Sequence, residues 1–171
     1  MAIFNGKIRP IASDDLSASK KILSSWLNAE EVEHYFGFIK NSLDKQIGSL
    51  IFDNHYFVAE TQDKEVIGIL GYRKPIPKMI PFAVTKNPLE LNMLYVLPKN
   101  RQGQGVGTAL VNEVEKMMQQ KKYTEILIRS AKKFEKSGWG FYDQLPGFKR
   151  IALLQESADI DPAQIWQKII N

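Results

Sequence analysis

Three alternating glycines stand between an apolar run and a helix-like segment, in the stretch Gly103-Gln104-Gly105-Val106-Gly107. The apolar run Leu94-Tyr95-Val96-Leu97 ends at Pro98, and the basic residues Lys99 and Arg101 follow it. Glycine lets a backbone approach a ligand closely, and the first N–H groups of a helix have no partner within that helix. Because the helix dipole is positive at the same end, this arrangement predicts a cradle for a phosphate group.

Three kinds of phosphate loop can be compared with this stretch. The Walker loop requires a Gly-Lys-Ser/Thr ending, which the sequence lacks. The dinucleotide fingerprint requires a third glycine where Thr108 stands, and the best acidic candidate, Glu125, precedes its strand instead of ending it. A third pattern, Gln/Arg-x-x-Gly-x-Gly/Ala, is met by Gln102, Gly105 and Gly107. On these residues alone, a tight turn without a ligand is an equal alternative.

Apolar periodicity and turn residues predict the elements that would hold this cradle. Strands are predicted around residues 8–11, 56–60, 66–72, 89–97, 124–128 and 148–154, and helices after Ser13, after Asn28, after Gly107 and at 137–144. The strands at 56–60 and 66–72 flank a polar turn and are expected to pair as an antiparallel hairpin. The stretch 74–88 contains four prolines and is predicted to be a loop. Asp161-Pro162-Ala163-Gln164 has the pattern of a helix start, so a C-terminal tail helix is expected at about 162–170. This order predicts one α/β domain over 1–171, with helices on a mixed sheet.

The composition is that of a globular protein and excludes several function classes. The chain has 171 residues, of which 44% are hydrophobic and 25% charged, and it contains no cysteine. Disulfide frameworks, thiol nucleophiles and cysteine zinc sites are therefore excluded, and no His/Asp/Glu spacing predicts a metal site. No apolar run is long enough for a membrane span, and the polar N-terminus does not resemble a secretory signal, so a cytoplasmic protein is expected. The net charge of +4 is spread evenly, which favours an anionic small ligand over nucleic acid.

Two segments together resemble one family. The stretch from Glu90 to Thr108 resembles the acyl-CoA-binding motif of the GNAT N-acetyltransferase superfamily. The later stretch Gly140-Phe141-Tyr142-Asp143-Gln144-Leu145-Pro146-Gly147-Phe148 looks like the family's Phe-Tyr-x-x-Leu-Gly-Phe segment, with Pro146 inserted. With the order of elements, the resemblance covers roughly residues 8–154. It implies the GNAT fold, a mixed, mostly antiparallel sheet flanked by helices, in which a splay between the fourth and fifth strands admits the cofactor.

The resemblance implies acetyl-CoA as the co-substrate, with no metal, and cofactor contacts made by the main chain. The backbone of Leu94, Tyr95 and Val96 would pair with the pantetheine arm as a further strand would. The pyrophosphate would lie on the loop and the first helical turn, which comprise Arg101, Gln102, Gly103, Gln104, Gly105, Val106, Gly107 and Thr108. Seven residues separate Pro98 from Gly105, one more than is usual in the family, so a bulge is expected before the cradle.

Two side chains in these segments are candidates for catalysis, Tyr142 as the acid and Glu90 as the base. Acyl transfer requires an amine to lose a proton, an oxyanion to be stabilised and a thiolate to be protonated. A phenol with a pKa near ~10 is protonated at neutral pH, and backbone N–H at Leu94 or Tyr95 would serve the oxyanion by resemblance. Catalytic glutamates occur at the position of Glu90 in some members, where this one would act through water. The alternatives are that Tyr142 is an amphipathic core residue and that Glu90 is a solvated carboxylate.

The expected function is therefore that of an acetyl-CoA-dependent N-acetyltransferase, acting on a primary amine by direct transfer in a ternary complex. A catalytically weak CoA-binding or sensing module of the same fold is the alternative. The expected partners of the enzyme are an acyl-CoA and an amine acceptor, and neither nucleic acid nor a membrane is expected. The sequence does not identify the acceptor. The apolar residues of the expected tail helix would either pack on their own sheet or form a homodimer; they are Ile165, Trp166, Ile169 and Ile170.

Overall fold

The computed structural model describes residues 3–44, 53–101 and 103–170. The helices are α1 Leu16–Ser24, α2 Ala29–Leu43, α3 Val106–Lys121 and α4 Gly140–Gln144. The strands are β1 Lys7–Pro10, β2 His55–Glu60, β3 Val66–Arg73, β4 Pro88–Val96, β5 Glu125–Ser130, β6 Lys149–Leu154 and β7 Ala163–Ile169. They form one open sheet in the order β1-β2-β3-β4-β5-β7-β6. The pair β4–β5 is parallel, and the pairs β1–β2, β2–β3, β5–β7 and β6–β7 are antiparallel, which confirms the predicted fold class.

The C-terminal segment is a strand, so the prediction of a tail helix at about 162–170 is wrong. β7 pairs with β5 along one edge and with β6 along the other. The helix-start pattern at Asp161-Pro162 is a local signal, and pairing on both edges outweighs it. A strand covered on both faces lacks the alternation that marks a half-buried strand, and a short apolar run is then hard to distinguish from a helix. Ile165 and Trp166 are fully buried in their own chain, so they give no support to a homodimer.

The chain divides into two compact units, of which the first comprises Met1–Arg73 and Met93–Gln120. It contains β1, the predicted hairpin of β2 and β3, the end of β4, and helices α1, α2 and α3. Gly68 on β3 lets α3 lie close to the sheet, because an added Cβ would stand 3.2 Å from side-chain atoms of both Val106 and Leu110. Val106 is the first residue of α3, so this close approach fixes where the helix begins.

The second unit comprises Lys74–Asn92 and Lys121–Asn171. It contains the start of β4, strands β5, β7 and β6, and α4. The parallel ladder of β4 and β5 runs from Pro88 opposite Glu125 to Leu91 opposite Ile128. The stretch before β4 is the predicted loop, interrupted only by a short turn at Ile80–Phe82. That the whole chain acts as a single domain stays a prediction.

Candidate functional site

β4 changes its backbone conformation in the middle of the predicted acyl-CoA-binding segment. Met93 has φ +54°, in the left-handed region that residues with a side chain rarely adopt. The ladder to β5 ends two residues earlier, at Leu91, while β4 continues to Val96. A left-handed residue costs of order 1 kcal/mol and is retained where the surrounding structure requires it. Sequence reasoning missed this feature, because methionine carries no preference for this conformation.

The backbone groups of β4 beyond Met93 point alternately to the two edges of the strand. The Leu97 N–H donates to the Ile67 carbonyl of β3 over 2.8 Å, which places the Leu97 amide on the β3 edge. Successive residues of a strand turn their amide and carbonyl groups to opposite edges. Tyr95 therefore directs its backbone groups towards β3, and Leu94 and Val96 direct theirs away from it. The Val96 carbonyl accepts a hydrogen bond from the indole Nε1 of Trp26 over 2.9 Å.

The glycine-rich stretch forms a turn that leads directly into α3. Gly103 has φ +79° and Gly105 has φ +69°, so the alternating glycines supply left-handed positions there. The Ala109 N–H donates to the Gly105 carbonyl over 2.9 Å, which is the first hydrogen bond of the helix. The N–H groups of the residues before Ala109 consequently have no acceptor within α3. The predicted cradle therefore has the expected backbone form, and Gln102 lies outside the described residues.

Arg101 lies immediately before the cradle and is held against an aromatic ring. Its guanidinium carbon stands 4.4 Å from the centroid of the Trp26 ring. Such stacking restricts the side chain while keeping its charge. No pattern in the sequence indicated this contact, because the two residues are far apart in the chain.

Glu90 is buried on the second unit's part of β4. Only 2% of its surface is exposed, and its Oε2 accepts a hydrogen bond from the Ile76 N–H over 3.0 Å. A buried carboxylate is stable only where donors satisfy its oxygens, so the Ile76 amide accounts for part of its environment. Glu90 is therefore not the solvated strand-end carboxylate of the alternative reading. It holds the beginning of the 74–88 loop against β4.

Glu125 is a second buried carboxylate on the neighbouring strand, opposite Pro88 in the parallel ladder. It accepts hydrogen bonds from the N–H groups of Val84 and Thr85, from the Thr85 hydroxyl and from the Gln167 amide, at 2.6 to 3.1 Å. These donors satisfy both oxygens, which is the arrangement that a buried anchor requires. Glu125 thus fixes the end of the loop whose beginning Glu90 holds. Sequence reasoning had weighed it only as an acidic residue of a dinucleotide site.

Tyr142 lies on α4, with its ring centroid 5.0 Å from that of the fully buried Trp166. Burial raises the pKa of the Tyr142 hydroxyl above its ordinary value. The phenol is therefore protonated throughout the neutral and mildly alkaline range. This state is the one that a proton donor requires, and the aromatic contact also gives the ring a packing role.

Asp143, the next residue, fastens α4 to two strands. Its carboxylate accepts two hydrogen bonds from the Arg150 guanidinium of β6, at 2.8 and 2.6 Å, and one from the Trp166 indole of β7, at 2.9 Å. The Arg150 guanidinium holds the pKa of the Asp143 carboxyl below its usual range. Because Tyr142 precedes Asp143 on the same short helix, this clamp holds the helix that carries Tyr142 against β6 and β7. Asp143 belongs to the family-like segment and Arg150 lies just beyond it, but their sequence separation alone gave no sign of the pairing.

The predicted site residues thus fall into two groups. Leu94, Tyr95, Val96 and the cradle belong to the first unit, and Glu90 and Tyr142 belong to the second. Among the residues that the structure describes, no three His, Asp or Glu side chains are grouped as a metal ion would require. None of the helices in the described ranges is long and apolar enough to cross a membrane.

The sequence and the fold both match known acetyltransferases. The sequence profile of the acetyltransferase (GNAT) family matches residues 20–148, which include β4, the cradle and α4. A GNAT-family protein from Desulfovibrio desulfuricans superposes with a TM-score of 0.76 at 20% identity, covering 96% of this chain and 99% of the other. NAA60 from Arabidopsis thaliana, solved with a bisubstrate analogue, superposes with a TM-score of 0.73 at 18% identity, covering 96% and 98%.

A third similar structure was solved with a ligand. The PaiA N-acetyltransferase from Thermoplasma acidophilum, solved in complex with coenzyme A, superposes with a TM-score of 0.64 at 20% identity. The alignment covers 96% of this chain and 98% of that protein. At such identities these likenesses concern the fold. No curated protein matches the sequence.

Proposed function

Because this chain belongs to the GNAT family of acetyltransferases, we propose that it is an N-acetyltransferase, which moves the acetyl group of acetyl-CoA to a primary amine. The acceptor would be a small molecule or an amine of a peptide or protein, and transfer would be direct, within a ternary complex. The observation that carries the proposal is the cradle, where left-handed glycines open α3 inside the segment that the family profile matches. A likeness to an N-acetyltransferase solved with coenzyme A supports the choice of co-substrate.

The residues of the first unit fit an acyl-CoA. The N–H groups of Val106, Gly107 and Thr108 have no acceptor within α3, and the helix dipole adds positive potential where they point. These groups would hold the pyrophosphate. Leu94 and Val96 direct their backbone groups to the edge of β4 away from β3, which suits pairing with the amides of the pantetheine arm. Alternation therefore assigns this pairing to Leu94 and Val96 and leaves the Tyr95 backbone to β3.

The chemistry divides among a backbone amide and two side chains. The amine nitrogen forms a bond to the thioester carbonyl carbon, and the Leu94 N–H would donate a hydrogen bond to the resulting oxyanion. Glu90 would take the proton that the amine gives up, through water, since its carboxylate is buried. As the carbon–sulfur bond breaks, Tyr142 would give its phenolic proton to the thiolate. Burial keeps that phenol protonated, which supports the assignment.

Release of free thiol from acetyl-CoA tests the proposal directly. The chain should release CoA when it is offered an acceptable amine from a panel of small amines, polyamines, peptides and proteins with free N-termini. Titration with CoA in a calorimeter is the companion measurement. CoA binding without thiol release for any amine would replace the enzyme with a CoA-binding or sensing module. If the chain does not bind CoA, both the N-acetyltransferase and the CoA-binding module are excluded. The cytoplasmic location and the oligomeric state stay predictions.

A further inference from the structure

Trp26 follows the end of α1, where the chain turns towards α2. Its backbone N–H still donates to the Leu23 carbonyl over 3.0 Å, so the residue continues the last turn of that helix. The side chain is half-buried, unlike its fully buried neighbours Ile22 and Leu23. It leaves the core of the first unit and lies against the end of β4. A large aromatic residue in this position needs an account other than core packing.

The indole N–H determines where the open edge of β4 ends. Its hydrogen bond to the Val96 carbonyl occupies the last carbonyl of the strand on the edge away from β3. Leu94 precedes Val96 on the same edge, so pairing with an extended ligand can use the Leu94 groups and the Val96 N–H. The Val96 carbonyl is already engaged. Trp26 therefore stops any added strand at Val96.

The Trp26 ring also contacts a charged side chain. The Arg101 guanidinium lies over the Trp26 ring at 4.4 Å from its centroid, and the Tyr95 ring lies 6.5 Å from the same ring. One indole thus contacts both the end of β4 and the only basic residue between Lys99 and the start of α3. An arginine stacked in this way keeps its charge but loses much of its conformational freedom.

We propose that Trp26 is a positioning residue that fixes the boundary between the pantetheine and pyrophosphate parts of the acyl-CoA site. Its N–H sets the residue at which pairing with β4 stops, and its ring directs the Arg101 charge to the phosphates that follow. The inference rests on the proposed function, because it presupposes an acyl-CoA in the first unit. It adds a residue that follows α1 to a site otherwise built from β4 and α3.

A double-mutant cycle measures the orienting role. CoA affinity is determined by calorimetry for the native chain, Trp26→Leu, Arg101→Gln and the double variant. We expect Arg101→Gln to weaken CoA about tenfold, as for a lost charge-assisted contact, and Trp26→Leu about fivefold. The double variant should be no weaker than about tenfold, because without the ring the arginine is already poorly directed. Losses that multiply would overturn the orienting role.

The conservative variant Trp26→Phe tests the indole hydrogen bond to Val96 separately from the stacking of Arg101. It keeps an aromatic face for Arg101 and removes the N–H that engages the Val96 carbonyl. CoA affinity should stay within about threefold, while turnover with acetyl-CoA falls about tenfold because the thioester is no longer held in register. Unchanged turnover would refute the boundary role, and this variant remains informative if Trp26→Leu does not fold.

Trp139→Phe is the matched control for affinity. Its ring also lies under a cation, with the Lys132 Nζ 5.3 Å from the centroid, and its Nε1 has no hydrogen-bond partner among the described residues. CoA affinity should be unchanged in this variant. If the native chain binds CoA and the Trp26 effects are absent, only this inference fails. If the native chain does not bind CoA, the proposed function fails with it.

Discussion

The two units position their predicted site residues in different ways. In the first unit the functional groups are backbone amides, and they are placed by left-handed glycines and by the start of a helix. In the second unit they are side chains, and each of them is placed by partners on other strands and loops. A main-chain site tolerates many side-chain changes but few changes of conformation. A side-chain site tolerates conformational adjustment but depends on single chemical groups.

Two carboxylates within the second unit show that burial alone does not identify a catalytic group. Glu90 and Glu125 lie on paired strands, and both are almost fully buried. Glu125 is satisfied on both oxygens by four donor groups of the loop and of β7. Glu90 accepts the Ile76 N–H on its Oε2 and lies in the segment that resembles the acyl-CoA-binding motif. Glu125 is therefore assigned to the scaffold, and Glu90 stays the base to be tested because of that resemblance.

The largest effect is expected where a side chain gives up a proton in the transition state. Tyr142→Phe keeps the ring contact with Trp166 and removes the hydroxyl, so turnover should fall by ~10²-fold or more. The Michaelis constant for acetyl-CoA should change little, because ground-state binding is untouched. Since burial raises the Tyr142 pKa, native turnover should not decline from its ionisation below about pH 10. Near-native turnover in the variant would make Tyr142 a packing residue.

The next largest effects are expected for substitutions of the two buried carboxylates, Glu90 and Glu125. Glu125→Gln replaces one acceptor oxygen by a donor and leaves N–H groups of the loop unpaired, which should lower the free energy of unfolding by about 2 kcal/mol. Activity per folded molecule should stay close to native. Glu90→Gln should instead lower turnover by at least about tenfold if Glu90 is the base. Denaturant unfolding together with steady-state kinetics measures both. Equal kinetic effects in the two variants would abolish the distinction between them.

The cradle is tested best at Gly107. Gly105 has a positive φ, so a side chain there would strain the backbone as well as fill the cradle. Gly107 lies within α3, and the Gly-x-Gly/Ala pattern accepts alanine there, so Gly107→Val is the informative change. The branched side chain would occupy space close to the phosphate, and CoA affinity should fall at least about tenfold. Ala109→Val is the control, because it adds the same branching to the same helix and should leave CoA affinity unchanged. Full affinity in Gly107→Val would remove the assignment of the phosphate site.

The smallest effect concerns the clamp that directs α4. Asp143→Asn weakens the contacts with Arg150 and Trp166, so turnover should fall a few-fold while CoA affinity is unchanged. Arg150 lowers the pKa of Asp143, so the clamp is complete above the usual carboxyl pKa of ~3.9 and is lost as pH falls through the depressed value. Turnover should show no decline from this group between pH 5 and pH 8. A decline in that range that Asp143→Asn abolishes would contradict the sign of the shift.

Much of the backbone arrangement in the first unit could be predicted from the sequence, because glycine and proline positions indicate backbone conformation. Glycines at 103 and 105 are the residues that a left-handed turn favours, and the apolar run ending at Pro98 marks the strand before it. The fold class, the hairpin and the loop of 74–88 were predicted for similar local reasons. Met93 was not, because its conformation is imposed by neighbours and leaves no trace in residue type.

For the second unit, the sequence located the candidate segment but not the contacts that hold its side chains. The segment around Tyr142 is identifiable by its resemblance, whereas the clamp on Asp143 depends on β6 and β7 lying together. β7 itself was mistaken for a helix, because the residues before it carry a helix-start signal that pairing on both edges outweighs. Glu125 shows the same limitation, since its donors come from residues about 40 positions away in the sequence. Contacts of this kind follow from tertiary pairing and have no local pattern.

The proline-rich loop of 74–88 is fastened at both ends, and this determines which of its residues can change without disturbing the strands. Glu90 fixes Ile76, Glu125 fixes Val84 and Thr85, and the intervening stretch is additionally held by the fully buried Met79. With its ends fastened, the interior of the loop can change length at little entropic expense, roughly 0.6 kcal/mol for each doubling. Substitutions of the exposed residues among 77–83 are therefore expected to leave the strands undisturbed, provided that both carboxylates and Met79 are kept.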